Sequence, residues 1–224
     1  MKNQYVGDIR DLFKYDLILR VMQESAVDKL LFIAMLTKDE ENGDGGRTDY
    51  KKAKAGFLNK ELVEHLRRYV NEEKRHLKHV ENFFKIKGIE IQLILEPFSH
   101  SGRSAYFKRL EKEFLSDKLI FIDPDKGMEI ENSDEKHILY DEIKYVYNSM
   151  TKSSILMIYQ HIPREDRHAY FKKRCGELEN ATGNFPLYAS DNQIAFFFLT
   201  KSKSARKNLE NLVKKYKQEY PELI

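Results

Sequence analysis

Asp123-Pro124-Asp125 follows directly on the apolar run Leu119-Ile120-Phe121-Ile122, a position that places carboxylates at the mouth of a buried strand. Carboxylates one residue apart suit hard-oxygen chemistry: with Glu129 as a further ligand they could hold a cation such as Mg²⁺. Pro124 fixes φ, so the chain leaves the strand at a set angle; an ordinary Asp-Pro turn joining strand to helix is the plain alternative. Glu96 ends the run Ile89 to Leu95, where an acid can accept hydrogen bonds from a ribose or can simply be solvated. His161 follows Ile155 to Gln160, three residues before Arg164, and could act as a base or a polar substrate contact; a structural strand-end histidine reads the same way. Gly43, Gly45 and Gly46 lie in an acidic loop with Arg47, where backbone N–H groups could approach a cofactor. No GxGxxG is present, and a surface turn is the alternative. His76 and His79 lack a third ligand at metal spacing, and Cys175 lies on an apolar helical stripe, which argues for packing over nucleophilic chemistry.

The elements that must position these residues alternate. Helical periodicity starts near Asp8 and carries Ile9, Leu12, Phe13, Leu17 and Val21 inward. Leu30 to Leu36 reads as a strand covered on both faces, and Leu58 to Phe84 as a long amphipathic stretch interrupted near Asn71. Strands at Ile89–Glu96, Leu119–Ile122 and Ile155–Tyr159 alternate with helices marked by Tyr106, Leu110 and Phe114, and by Leu139, Ile143, Val146 and Met150. Pro163 is suited to open the next helix. Phe185–Ala189 and Ile194–Leu199 form a hairpin, and a basic amphipathic helix from about Ser202 to Gln218 follows. This order predicts an α/β, doubly wound, mostly parallel sheet with helices on both faces and a C-terminal antiparallel hairpin. Ligands then lie beyond the strands' carboxyl ends, where Asp123, Glu96 and His161 fall. We expect one α/β domain over 1–224, with 1–28 an N-terminal helical segment and 37–56 an acidic glycine-containing loop.

At 224 residues, 41% hydrophobic and 33% charged, the chain is too apolar for a disordered tail and has no run that would span a bilayer. A single cysteine and an opening without an apolar core give no support for a disulfide framework or a secretion signal, so a cytoplasmic location is expected. The net charge of +3 does not by itself indicate a nucleic-acid partner. The acids concentrate before residue 50, however, and leave the faces around Lys51 to Lys54, Arg67 and Arg68, and the final helix, basic enough for a phosphate backbone.

With these residues in place, the chain resembles the Rossmann-like S-adenosylmethionine-dependent methyltransferases, nearest to the ribosomal-RNA adenine-N6 enzymes. Gly7-Asp8-Ile9-Arg10-Asp11-Leu12-Phe13-Lys14-Tyr15 is similar to their N-terminal segment. Ile120-Phe121-Ile122-Asp123-Pro124-Asp125 is similar to the hydrophobic-Asp-Pro-Pro-Tyr motif that holds the target amino group, and the hairpin to their reversed last strand. Met35-Leu36-Thr37-Lys38-Asp39 stands where that family has Asp-x-Gly-x-Gly, Asp125-Lys126 replaces Pro-Tyr, and one strand-helix unit is missing. The resemblance implies S-adenosylmethionine as cofactor, held by Gly43, Gly45, Gly46 and Glu96. It implies a catalytic group of Asp123, Pro124, Asp125 and His161, with Lys14, Tyr15, Arg47 and Arg164 on an RNA or DNA substrate. A Mg²⁺-dependent nuclease or phosphoesterase using Asp123, Asp125 and Glu129 is the alternative chemistry, and a catalytically inactive relative is the third reading.

Overall fold

The computed structural model describes residues 1–25, 27–40, 45–70 and 75–224. In chain order the elements are α1 (Ile9–Ser25), β1 (Lys29–Ile33), α2 (Lys60–Val70), α3 (Lys78–Ile86), β2 (Glu90–Ile94) and α4 (Arg103–Lys108). Then come β3 (Leu119–Ile122), β4 (Gly127–Met128), β5 (His137–Ile138), α5 (Tyr140–Ser149) and β6 (Ile155–His161). The order closes with α6 (Arg167–Thr182), β7 (Leu187–Ser190), β8 (Ile194–Thr200) and α7 (Lys203–Glu219).

The main sheet has the order β2-β1-β3-β6-β8-β7. β2, β1, β3 and β6 run parallel, and β8 pairs antiparallel with both β6 and β7. The chain winds outward from β1 to β2 and then crosses to β3 on the other side, so the switch in strand order lies between β1 and β3. Ile33, Ile94, Ile122 and Ile158 are in register, which sets the carboxyl ends of four strands at one level. This is the doubly wound α/β fold anticipated from the sequence, with the reversed hairpin strand β8 inserted between β6 and β7.

The period of two along each strand divides the core. Leu30, Phe32, Phe121, Met157 and Phe196 face α1, α2, α3 and α7, while Leu31, Ile33, Ile120, Ile122, Leu156 and Phe197 face α4, α5 and α6. Both faces being covered explains why these strands read as unbroken apolar runs. α1 is fixed against α7 by its buried Asp16, which accepts hydrogen bonds from Tyr216 (2.8 Å) and Asn59 (2.9 Å).

The stretch from Leu58, read as interrupted near Asn71, is two helices, α2 and α3, with 71–74 outside the described residues. One local expectation changes. Pro163 does not open a helix: α6 starts at Arg167, with the Asp166 carboxylate accepting from the Ala169 N–H at 2.8 Å, a cap that a proline cannot supply. The two-residue pair β4–β5 is too short to carry any periodicity; it forms because Gly127, at φ +120°, lets the chain fold back over Gln160.

Candidate functional site

Asp123 stands at the switch point. Its N–H continues the β1–β3 ladder by donating to the Ile33 carbonyl at 2.9 Å, so its side chain emerges where the parallel ladder stops. Segment 1–7 crosses this level: the Met1 nitrogen bonds the carbonyls of Asp123 (3.1 Å) and Met35 (3.4 Å), and the Met1 carbonyl accepts from Thr37 N. The next residue, Lys2, is buried and pairs with Glu40 (2.8 Å) and Asp125 (3.2 Å).

A cavity of about 540 Å³ opens beside this segment, over the ends of β3 and β6. Asp123, Pro124 and Asp125 line it together with Lys14, Tyr159, Gln160 and His161; Met128, His137 and Arg174 line it from β4, β5 and α6. Lys14 reaches in from α1, within 3.1 Å of Asp11 and 2.9 Å of Asp123 and above the ring of Tyr159. Burial works against its charge, but Asp11 and Asp123 more than offset that and hold its ammonium well above the usual lysine range. Burial pushes the Asp11 carboxyl up to about 6, with Asp8 adding to the effect and Lys14 opposing it. Lys2 is likewise raised, because Glu40 and Asp125 outweigh its desolvation, and Glu40 is drawn down to about 2 by hydrogen bonds from Lys136 and Lys2. The His161 pKa is lowered, first by burial and then by Arg10 and Arg47, which keeps the imidazole neutral near pH 7. Gln160 ties the wall together: its Oε1 accepts from Met128 N at 2.7 Å and its Nε2 donates to the His161 carbonyl at 2.6 Å.

A second cavity of about 500 Å³ adjoins the first, and Arg10 and Arg47 line both. Lys52, Lys54, Asp191 and Gln193 stand on its other walls.

The structure therefore brings Asp123, Pro124, Asp125, His161, Lys14, Arg47 and Gly45 to one cavity and leaves the other candidates elsewhere. Gly45, at φ +86°, packs its backbone against Gln4, where a Cβ would meet the Gln4 carbonyl at 2.3 Å; its freedom serves the chain's own packing. Gly46 lines the second cavity, and Gly43 lies outside the described residues. Glu96 is exposed and faces Arg109 at 3.4 Å, away from the cavity that Asp123 lines. Tyr15 is fully buried against Phe84 on the core side of α1, one residue and about 100° of helix from Lys14. Arg164 is exposed in the loop before α6, away from the cavity wall.

The three acids of the metal alternative are each engaged by a partner within the chain. Asp123 is engaged by Lys14 and Asp125 by Lys2, and the Glu129 carboxylate accepts from Tyr140 N at 2.8 Å. Among the described residues, no group of three or more His, Cys, Asp or Glu gathers to hold a metal ion. Sequence reasoning passed over Lys2, Asp11, Tyr159 and Arg174. Their signal would have been charged or polar residues inside apolar periodicity, as with Asp11 and Lys14 three apart on one face of α1.

The residues do not fit S-adenosylmethionine at the place the resemblance implies. Glu96, Gly45 and Gly46 do not converge, and segment 1–7 bridges the ends of β1 and β3. Asp11, Asp123, Asp125 and Glu40 each hold a lysine already, which leaves the wall poorly suited to a cationic sulfonium. Among the described residues, no helix is long and apolar enough to cross a membrane.

No family model and no curated protein matches the chain. Among solved structures, the crystal structure of human methyltransferase-like protein 13 in complex with SAH is similar over 91% of this chain and 92% of that one, at 11% identity and a TM-score of 0.42.

Proposed function

We propose that this methyltransferase-like protein recognises an amino group on a nucleotide or nucleic acid, using Asp123 and the Pro124 carbonyl at the floor of the 540 Å³ cavity. The observation that carries the reading is the placement of Asp123-Pro124-Asp125 at the switch point of the sheet, inside a cavity large enough for a nucleoside. An exocyclic amine has two hydrogens to donate. A carboxylate and a main-chain carbonyl are both acceptors, and an oxo group in the same position would face them with no proton to offer. Lys14 holds the Asp123 carboxylate in place through its Oδ2, and neutral His161 and Gln160 add polar contacts that need no change of charge. Arg10, Arg47 and Lys126 line the same cavity and favour an anionic substrate, which supports a nucleotide over an uncharged amine.

Methyl transfer from S-adenosylmethionine is what the resemblance adds to this recognition. The engaged acids and the crossing of segment 1–7 favour a second reading, a relative that binds the target group without transferring a methyl. Calorimetric titration separates the outcomes. Adenosine monophosphate is expected to bind at least about tenfold more tightly than inosine monophosphate, the loss of one polar match costing roughly 1.4 kcal/mol or more. Equal affinities refute the amino-group reading without any mutation. S-adenosylmethionine binding in the same cell supports transfer, and its absence at millimolar concentration supports the binding-only relative.

A further inference from the structure

The ridge between the two cavities is built from Arg10 and Arg47, the residues that line both. Arg10 comes from the first turn of α1 and Arg47 from the loop whose carbonyl accepts the Ile9 N–H at 2.7 Å, so one hydrogen bond fixes the two side chains' bases together. Their guanidinium groups then converge on a single neutral atom. Arg10 Nη2 donates to Gln193 Oε1 at 3.0 Å and Arg47 Nη1 donates to the same oxygen at 2.8 Å.

Two cations sharing one amide oxygen repel each other, and among the described residues neither is in an ion pair. The Arg10 Nε is buried with no hydrogen-bond partner. Other charges surround the ridge. Asp8 holds the Arg10 N–H, Asp191 is occupied by the N–H groups of Gln193 and Ile194, and Lys54 is paired with Glu222. Planar guanidinium forks bind phosphate oxygens in pairs, and a phosphate here would replace one neutral acceptor with a charged one.

We propose that Arg10 and Arg47 form a phosphate site, and that the cavities on either side take the two groups that this phosphate joins. The ligand is a phosphodiester linking two nucleosides, with the amino-bearing base over Asp123 and its neighbour in the cavity lined by Phe13, Lys52 and Asp191. Each cavity, at about 540 and 500 Å³, is of a size that accepts one nucleoside. The assignment of the base rests on the function proposed above, whereas the phosphate contact stands on the arginines alone.

The test measures fluorescence anisotropy with a labelled single-stranded hexanucleotide, with unlabelled dinucleotide and mononucleotide as competitors. Wild type, Arg10→Gln, Arg47→Gln and Asp123→Asn are compared across salt concentrations, with circular dichroism confirming each fold. The dinucleotide is expected to compete at least about tenfold better than the mononucleotide, and each arginine variant to weaken binding by about tenfold or more. Loss of one phosphate contact lowers the slope of log K against log salt by about 0.7. A dinucleotide equal to the mononucleotide, or arginine variants with unchanged affinity and slope, overturns the phosphate site. If binding depends on the arginines but Asp123→Asn and an oxo-for-amino base change leave it unaltered, the site stands and the amino-group reading falls. A hexanucleotide that binds no better than the dinucleotide identifies the free dinucleotide, not a polymer, as the source of the phosphate. No binding of any probe at millimolar concentration overturns both.

Discussion

Replacing Lys14 with methionine removes the cation that two buried carboxylates share. Asp11 lies 3.1 Å and Asp123 2.9 Å from its Nζ, and the side chains of all three are 5% exposed or less. Methionine nearly preserves the volume, so the loss is electrostatic. Breaking a buried pair from one side costs about 3–5 kcal/mol, which in a chain of this length lowers Tm by about 6–20 °C. The penalty should also depend on pH in a set direction. The Asp11 carboxyl is already up to about 6 with Lys14 opposing the rise, so without the lysine it rises further. The variant's native state then keeps a proton above pH 6 that the unfolded chain, with an ordinary carboxyl near 4, has released. Stability falls with pH wherever the native state binds more protons, by about 1.4 kcal/mol per pH unit for one proton. In the wild type this contribution ends once Asp11 has ionised. The gap between wild type and Lys14→Met should therefore widen by about 1 kcal/mol per unit between pH 6.5 and 8. Guanidinium unfolding at four pH values reads this directly. Adding Asp11→Asn to the variant should shrink the penalty and flatten the gap. A loss under about 1 kcal/mol, or a gap that does not vary with pH, refutes the view that Lys14 is the keystone of the cavity floor.

Further outcomes follow from the same geometry. Carboxyl titration by NMR should find Asp11 with a midpoint near 6, and nucleotide affinity should strengthen as pH falls through that value, since one negative charge leaves the wall; an Asp11 midpoint below 4.5 contradicts the burial argument. Gly127→Ala should destabilise the chain by about 1–3 kcal/mol in urea, because φ is +120° and a Cβ would sit 2.4 Å from the Gln160 amide; an unchanged midpoint shows that β4 relaxes freely. Cys175 is buried with its thiol pushed up to about 11 by desolvation, so iodoacetamide at pH 7.5 should label it only after urea is added; rapid labelling of native protein, read by mass spectrometry, would place the thiol at the surface.

The sheet was legible because strands buried on both faces leave continuous apolar runs: Leu119 to Ile122 and Ile155 to Tyr159 fall within two residues of their observed limits, and the run Leu30 to Leu36 marks β1 but overruns its end at Ile33 by three residues. The position of Asp123 followed from that alone. Glu96 misled because the same rule, an acid after a strand, says nothing about which way the side chain faces; it stands exposed beside Arg109. Tyr15 and Lys14 are neighbours in sequence that a helix turns toward different surroundings. Lys2 was invisible for a different reason. Its partners Glu40 and Asp125 are 38 and 123 residues away, and no local pattern encodes a contact that only the finished sheet creates.

The anchoring of α1 through Asp16 to Tyr216 has a temporal meaning for a chain emerging from a ribosome. The helix that delivers Arg10 and Lys14 meets α2 and α3 early, but its anchor to α7 forms only after some two hundred further residues have been synthesised. Contacts of such sequence separation form slowly, because the intervening chain must first be brought to order. The nascent protein can thus assemble its parallel strands well before the buried Asp16 at the centre of α1 gains its tyrosine partner.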